Sequence, residues 1–291
     1  TKLSRIEVIK VAAPSIERNR KTTRSILMAI MILMSLMFLL PFYWLIITAL
    51  KSDAQLFVFP PVLVPNPVVW SNFLEATKAI PFWTYTRNTL LVAGVTVFGT
   101  VLSSSLVGYG FARLQFPGRN VLFAVLLGTM MIPFPVTMVP LYLIYKQLGW
   151  VNTLLPLTVP AFFGNAFNIF LLRQFFMTIP FSLSEAAKID GCSEFRTYWN
   201  IILPLVKPAL LTVGIFQFQG AWNDFMGPLI YLNSERMYTL ALGIQQFQGL
   251  YNSQWQLLMA ASTLMTLPMI ILFFVAQRYF IQGIVMTGIK G

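Results

Sequence analysis

Asp224 has the most unusual setting of any acidic residue in this chain, because it lies within a long apolar stretch. The other acidic residues, of nine in all, lie outside such stretches. A carboxylate is costly in an apolar environment, so its presence indicates a functional polar surface or a specific set of hydrogen bonds. On a helix, Gln217 lies about two turns away on the same face, and Asn223 lies on roughly the opposite face. Two roles stay open: the polar wall of a pathway, and capping or interhelical hydrogen bonds.

Two asparagines form a second polar group in another apolar stretch. Asn165 and Asn168 follow Pro156 and Pro160, whose rings remove hydrogen bonds from a helix. The side-chain amides can satisfy the carbonyl groups that the prolines leave free, or they can line a cavity beside a distorted helix. The residue pattern supports both interpretations equally.

The residue types of the chain exclude several kinds of chemistry. The sequence contains no His and one Cys, Cys192, so it can form neither an internal disulfide nor the usual zinc sites. An intramembrane enzyme needs a carboxylate pair, a metal site or a nucleophile with its base, and the sequence offers none of these. We therefore expect no catalysis and no cofactor bound by this chain. A secondary transporter, which usually couples through ionisable groups near the midplane, is the alternative.

Long apolar stretches must position these residues. Of the 291 residues, 57% are hydrophobic and 10% are charged, a composition that excludes an ordinary soluble domain. Six stretches are long enough to extend about 34 Å or more as helices, which exceeds the hydrocarbon core of a bilayer. They are Ile26–Leu50, Thr89–Phe111, Val121–Tyr145, Leu154–Phe176, Ala209–Leu232 and Leu257–Ile281. The sequence therefore predicts an all-α polytopic membrane protein with six transmembrane helices over residues 26–291, after an N-terminal segment over residues 1–25.

The distribution of Lys and Arg predicts the orientation. Fifteen of the 20 basic residues fall on the side that carries both termini, seven of them before Ile26. The positive-inside rule therefore places both termini, and the loop over residues 180–204, in the cytoplasm. This bias, together with contacts to anionic lipid headgroups of the bilayer, explains much of the net charge of +11 without nucleic-acid binding.

The loop over residues 180–204 is a polar segment between two apolar stretches, and its local chemistry predicts a bent pair of helices. Ser182 and Glu185 have the spacing of a capping box, which would begin a helix at Ser182. Gly191 lies where that helix must end, because Gly adopts a left-handed conformation without a Cβ clash. Ser193 is then placed to cap a second helix. The segment is expected to form a helix–glycine–helix elbow at a membrane surface.

The same segment resembles a family signature. Glu185-Ala186-Ala187, Gly191 and Ile201-x-Leu203-Pro204 are spaced as in the permeases of ABC importers. Further segments resemble carbohydrate permeases of the maltose type, and the resemblance extends over nearly the whole chain. They include Tyr109–Arg119, Met131–Pro133, Trp222–Phe225 and Gly283–Gly291. The resemblance implies a permease subunit of a binding-protein-dependent importer, with a cytoplasmic coupling helix between its transmembrane helices 4 and 5.

The resemblance also implies partners and a location. The partners are a second homologous permease subunit, two ATPase subunits that bind ATP and Mg, and an extracytoplasmic sugar-binding protein. The location is the inner or cytoplasmic membrane of a bacterium or archaeon. ATPase coupling is implied for Glu185, Ala186, Ala187, Asp190, Gly191 and Phe195.

The resemblance assigns contacts with the binding protein to the loop over residues 233–256. These candidates are Tyr238, Gln245, Gln246, Phe247 and Tyr251. An aromatic belt at the membrane interface is the alternative interpretation of this loop. The candidates for the substrate path remain Asn165, Asn168, Gln217, Asn223 and Asp224. The cargo itself, whether a neutral sugar, an oligosaccharide or a uronate oligomer, is left open by these residues.

Cys192 allows the predicted orientation to be tested. A membrane-impermeant maleimide added outside spheroplasts should leave Cys192 unlabelled, because the residue lies in a loop predicted to be cytoplasmic. In inside-out vesicles stripped of ATPase it should react readily, and rebinding of the ATPase should slow the reaction. Labelling from outside would overturn the topology, and a rate that does not respond to the ATPase would remove Cys192 from the interface.

Overall fold

The computed structural model of the chain describes residues 3–249 and 253–288, and within them the side chains of residues 23–249 and 253–277. The regular elements in these ranges are helical, and the extended pairing found there is an isolated bridge between Gln248 and Ser253. The prediction of an all-α protein is therefore confirmed.

The α-helices follow one another along the chain, and the longest connection, over residues 50–70, joins the first two. They are α1 (Leu3–Ala49), α2 (Ser71–Ala79), α3 (Phe82–Arg113), α4 (Arg119–Thr129), α5 (Phe134–Gln147), α6 (Leu155–Thr158), α7 (Ala166–Thr178), α8 (Ser182–Ile189), α9 (Glu194–Thr197), α10 (Leu203–Leu205), α11 (Lys207–Trp222), α12 (Met226–Tyr231), α13 (Leu240–Ile244) and α14 (Trp255–Gly288). A π-helical turn over Tyr198–Ile202 joins α9 to α10, and a 3-10 helix over Val159–Phe163 follows α6.

The long apolar helices agree with a multi-pass membrane protein. Within the described residues, four segments are long and apolar enough to cross a bilayer: Thr23–Ala49, Phe82–Arg113, Leu155–Thr178 and Trp255–Gln277. Two bent pairs raise the number to six if each pair counts as one span. These pairs are Arg119–Thr129 with Phe134–Gln147, and Glu194–Leu205 with Lys207–Trp222. The count of six transmembrane helices stays a prediction.

Prolines account for both large bends. The axes of α4 and α5 differ by 97°, and Pro133 occupies the extended residue between them, with Pro135 at the start of α5. The segment Glu194–Leu205 and α11 differ by 81°, and Pro208 lies in the first turn of α11. Proline has no backbone N–H and disfavours helical geometry in the residue before it, so it is favoured at the start of a new helix, where Pro135 and Pro208 lie.

The predicted fifth span differs from the helices that form. In place of one helix over Ala209–Leu232, α11 ends at Trp222 and α12 begins at Met226. The polar residues between these helices, with Gly227 and Pro228 just after them, stop the helical ladder at this position. Asp224 is therefore located at a helix break and not within a continuous helix.

The helix α3 lies at the centre of the bundle and packs against α7, α11 and α13. Near one end, buried residues including Tyr85, Trp222 and Leu240 form a core with α13 and α14. Near the other end, a second core contains Tyr109 and Tyr198. We call the first end the loop end and the second the elbow end.

Small residues let α3 and α7 approach closely, as the spacing of Ser104, Gly108 and Ala112 predicts. Ser104 is fully buried. A Cβ atom at Gly108 would lie only 3.2 Å from the backbone nitrogen of Arg173, so a side chain there would push the helices apart. This stripe serves helix contact.

Gly243 offers a test of the packing at the loop end. A Cβ atom at this position would overlap the fully buried ring of Tyr85. Gly243→Ala should therefore lower the free energy of unfolding by about 1–3 kcal/mol, as overpacked cores do. Gly110→Ala is the control, because open space surrounds that helical position, and it should be neutral or raise stability by up to about 1 kcal/mol. Denaturant titration in detergent measures both, and equal stability of the two variants would contradict the close contact.

Candidate functional site

The predicted elbow forms, and its glycine has the expected conformation. Gly191 has φ +77°. Its N–H donates to the carbonyl of Lys188 (3.0 Å), and the N–H of Cys192 donates to that of Ala187 (2.9 Å). These two bonds are the Schellman arrangement, which satisfies the last carbonyls of α8 and turns the chain sharply. Ser193 then caps α9, since its hydroxyl accepts from the N–H of Arg196 at 3.3 Å.

The capping box predicted for the start of α8 is wrong. Phe181, not Ser182, is the cap residue, and it has helical dihedral angles. Backbone bonds from Ser184 and Glu185 to the Phe181 carbonyl already turn the chain at this point. Ser182 therefore lies in the first turn of α8 and is not its cap residue. Glu185 keeps its place in that turn, where a negative charge interacts favourably with the helix dipole.

The elbow has one face against the bundle and one exposed face. Ser184 and Ala187 are buried. Large apolar side chains are exposed on the other side, including Ile189 (86%), Phe195 (66%) and Trp199, whose ring stacks on that of Phe195. Of the residues predicted for ATPase coupling, Ala187 faces the bundle. The others are exposed: Glu185, Ala186, Asp190, Gly191 and Phe195.

Arg113, at the end of α3, fixes the approach to the elbow. Its side chain is only 5% exposed, and its guanidinium donates to the carbonyls of Phe176 (2.8 Å) and Ile179 (2.6 Å) at the end of α7. Longer contacts reach the Pro180 carbonyl and the Ser184 hydroxyl. Buried carbonyls at a helix end need such donors, so Arg113 connects α3, α7 and α8.

Glu194 is a second residue that joins separate elements at the elbow. One carboxylate oxygen lies 2.6 Å from the Lys188 ammonium on α8, and the other accepts from the Tyr109 hydroxyl on α3 at 3.2 Å. The ion pair is partly exposed and therefore contributes at most about 1 kcal/mol. The ion pair joins α8 to α9 across the turn at Gly191. Sequence reasoning missed both Arg113 and Glu194, although Arg113 belongs to the family-like segment Tyr109–Arg119.

Three of the polar candidates in the apolar stretches, Asn165, Asn223 and Asp224, lie at helix breaks. Asn165 caps α7, because its side-chain oxygen accepts from the Asn168 N–H at 3.2 Å, directly after Gly164 with φ +86°. Asp224 accepts from the Gly227 N–H at 3.0 Å and so supports the start of α12. The side chain of Asn223 donates to the Gln219 carbonyl of its own helix (2.9 Å).

Burial separates these candidates. Asn168 is buried, Gln217 and Asp224 are half-buried, and Asn165 and Asn223 are exposed. The hydrogen bonds of Asn165 and Asp224 are those of caps, while a role in a pathway stays a prediction for the whole group.

The loop over residues 233–256 divides its candidate residues between core and surface. Phe247 is buried in the loop-end core, and Tyr238 packs against it. Gln245 and Gln246 are exposed, and the side-chain oxygen of Gln246 accepts from the Tyr85 hydroxyl at 3.1 Å. Tyr251 lies outside the described residues.

The long apolar helices and the polar helix–glycine–helix elbow are together typical of the membrane subunit of a transporter. Residues 99–286 match the family described as binding-protein-dependent transport system inner membrane component, and the chain belongs to this family. It is therefore a non-catalytic, multi-pass permease subunit of an ABC importer, and the alternative of a secondary transporter is not favoured.

Several relatives and one solved structure illustrate the similarity. The arabinooligosaccharides transport system permease protein AraQ of Halalkalibacterium halodurans is 37% identical over 78% of this chain and 81% of its own length. The trehalose/maltose transport system permease protein MalG of Thermococcus litoralis is 33% identical over 89% and 94%. A chain of a bacterial ABC transporter involved in the import of the acidic polysaccharide alginate has a TM-score of 0.75 at 26% identity, over 88% of this chain and 96% of that one.

Substitutions at Asp224 test its role as a cap. Asp224→Asn keeps an oxygen that can accept from the Gly227 N–H, so the free energy of unfolding should change little. Asp224→Ala removes the acceptor and should cost about 1 kcal/mol. Asn223→Ala is the control next to it and should be nearly neutral, because that side chain is exposed and bonds only within its own helix. Equal losses for the Asn and Ala variants, measured by denaturant titration, would assign the effect to the charge.

Proposed function

We propose that this chain forms half of the translocation pathway of a carbohydrate importer, and that its elbow couples the pathway to ATPase subunits. The observation that carries the proposal is the exposed face of the elbow, held in a fixed orientation by the Schellman turn and by Arg113. A docking element needs exposed contact groups on a rigid support, and the elbow provides both.

The chemistry of the exposed face suits a protein partner. Large apolar groups, Ile189, Phe195 and Trp199, lie beside the charged residues Glu185 and Asp190. A contiguous apolar patch with a polar rim is typical of an interaction surface. We assign this face to a groove on an ATPase subunit, which binds ATP and Mg.

The remaining partners follow from topology and from exposed apolar surface. The positive-inside rule places the elbow and both termini in the cytoplasm, so the loop over residues 233–256 faces the extracytoplasmic side and a sugar-binding protein. A half-pathway exposes polar groups such as Asp224 unless a second homologous permease subunit covers them. The long apolar face of Ile26–Leu40 is suited to contact with lipid or with that second subunit.

The cargo is assigned by similarity. The relatives bear names that specify arabinooligosaccharides and trehalose or maltose, and the solved structure concerns alginate. These compounds share hydroxyl-rich sugar units, and they differ in charge. We therefore assign a sugar or oligosaccharide, neutral or of the uronate type, as the cargo class. Gln217, Asn223 and Asp224 offer the amide and carboxylate groups that bind hydroxyls.

The mechanism is alternating access driven by the ATPase subunits. Closure of the two ATPases on ATP moves the docking grooves, and each elbow moves with its groove as a rigid body. The two permease subunits then rock between inward-facing and outward-facing arrangements around the pathway. This chain contributes no chemical step to hydrolysis; it converts a movement at the cytoplasmic surface into a change of access.

Two elbow substitutions test the coupling. Gly191→Val places a β-branched residue at φ +77°, and Glu185→Lys reverses a charge where the helix dipole favours an acid, an effect of about 0.3–1 kcal/mol. Both should leave membrane insertion normal, weaken ATPase docking and abolish uptake, and ATP hydrolysis should cease to respond to the loaded binding protein. Uptake in vesicles and co-purification of the ATPase measure these effects.

Gly149→Val is the matched control for backbone strain. Gly149 has φ +70° and open space around it, but it follows α5, far along the chain from the elbow. The control should therefore lose comparable stability and keep ATPase docking and uptake. Wild-type uptake in the Gly191 and Glu185 variants, with full stimulation of ATP hydrolysis, would refute the proposed coupling role.

A further inference from the structure

We infer that α3 is the element that transmits movement between the elbow and the loop over residues 233–256. This inference rests on the proposed function, and it concerns a helix that flanks neither segment in the sequence. The helices that do flank the elbow, α7 and α11, are the obvious transmitters, but the hydrogen bonds of the structure favour α3.

Buried side chains tie α3 to the elbow at one end. Ser105 and Tyr198 share a hydrogen bond of 2.8 Å between their hydroxyls, and both residues are buried. One and two turns further along α3, Tyr109 bonds to Glu194, and Arg113 bonds to the end of α7 and the start of α8. Three successive turns of α3 therefore contact the elbow or its approach.

Equally buried side chains tie α3 to the 233–256 loop at the other end. The Asn88 amide donates to the carbonyls of Arg236 (2.9 Å) and Tyr238 (3.0 Å). The Thr89 hydroxyl accepts from the Leu240 N–H at 2.8 Å, at the first residue of α13. The Tyr85 ring lies directly against Gly243, and its hydroxyl reaches Gln246. This end of α3 is therefore fixed to the backbone of the loop and not only to its side chains.

Between these ends α3 is one uninterrupted helix. It runs over 32 residues without a proline, which corresponds to about 48 Å. By contrast, α7 begins at the break around Gly164, and α11 is bounded by the 81° bend before it and by the Asp224 break after it. A displacement can be absorbed at such breaks, whereas a continuous helix passes it from end to end. The loop at the far end is where we propose that the binding protein docks, so α3 links the two docking surfaces.

A reporter in the loop tests this transmission without knowledge of the cargo. In the assembled complex of both permeases and ATPases, Gln245→Cys in a Cys192→Ser background carries a nitroxide; Gln245 is exposed. Mg-ATP with vanadate traps the ATPases in their closed state, and the change in the spectrum is measured. With the hydrogen bonds of Asn88 and Thr89 intact, trapping should change the nitroxide spectrum clearly. Combining Asn88→Leu with Thr89→Val should remove most of this change, while the rate of ATP hydrolysis is retained.

Matched variants separate transmission from stability. Thr89→Val alone is nearly isosteric and should reduce the amplitude in part. Thr89→Ser keeps the hydroxyl that accepts from the Leu240 N–H and should therefore keep the full amplitude. Asn72→Leu removes the same kind of amide, which donates to the carbonyls of Ala49 and Lys51 (both 2.8 Å) but joins α2 to the end of α1. It should leave the amplitude unchanged. Thermal unfolding of each complex shows whether a variant is folded.

Three results would overturn the inference or its basis, and they are distinguishable. Full amplitude in the combined Asn88 and Thr89 variant would show that the movement does not pass through α3. An equal loss in Asn72→Leu would assign the effect to general stability. Absence of any ATP-dependent change with all ties intact, or of ATPase from the purified complex, would refute the proposed function itself.

Discussion

The rest of this structure depends on one constraint: backbone N–H and C=O groups away from water must find hydrogen-bond partners. Several apolar stretches break, and each break exposes such groups. At each of three breaks, a named side chain satisfies some of them: Asn165 before α7, Asp224 before α12 and Arg113 after α7. Asn165 and Asp224 therefore serve, in the first place, to stabilise the starts of helices that follow a break.

This structural role does not compete with a role in transport. A carboxylate that caps a helix, as Asp224 does, has one oxygen fixed by a backbone N–H and remains half-buried. Such a group is held in a defined position, which is what a polar wall for hydroxyl-rich cargo requires. The two interpretations of Asp224 from the sequence are thus compatible, since the bond that repairs the break also orients the side chain.

Much of the fold could be predicted because its signals are local. Hydrophobic stretches predicted the helical class, and Gly191 and Ser193 predicted the elbow. Ser182 failed as a cap because backbone geometry at Pro180 and Phe181, which residue types do not specify, makes Phe181 the cap residue. Arg113 and Glu194 could not be assigned, because their partners are remote in the sequence and only the folded bundle brings them together. The break at Asp224 was not predicted, because a short polar segment changes the average hydrophobicity of a long apolar stretch very little.

The distribution of breaks also determines how the bundle can move. Helices α4, α7, α11 and α12 each begin or end at a bend, a left-handed glycine or a capped gap, where small changes of dihedral angle are inexpensive. The helix α3 has no such interruption along its length, and it is packed so closely to α7 that a Cβ atom at Gly108 would lie 3.2 Å from the Arg173 backbone nitrogen. Among the helices that contact the elbow, α3 is therefore the continuous one, whereas α7 and α11 are interrupted at their ends. Rocking of the bundle requires that the continuous element be attached at both surfaces, and the buried bonds of Asn88 and Arg113 provide that attachment.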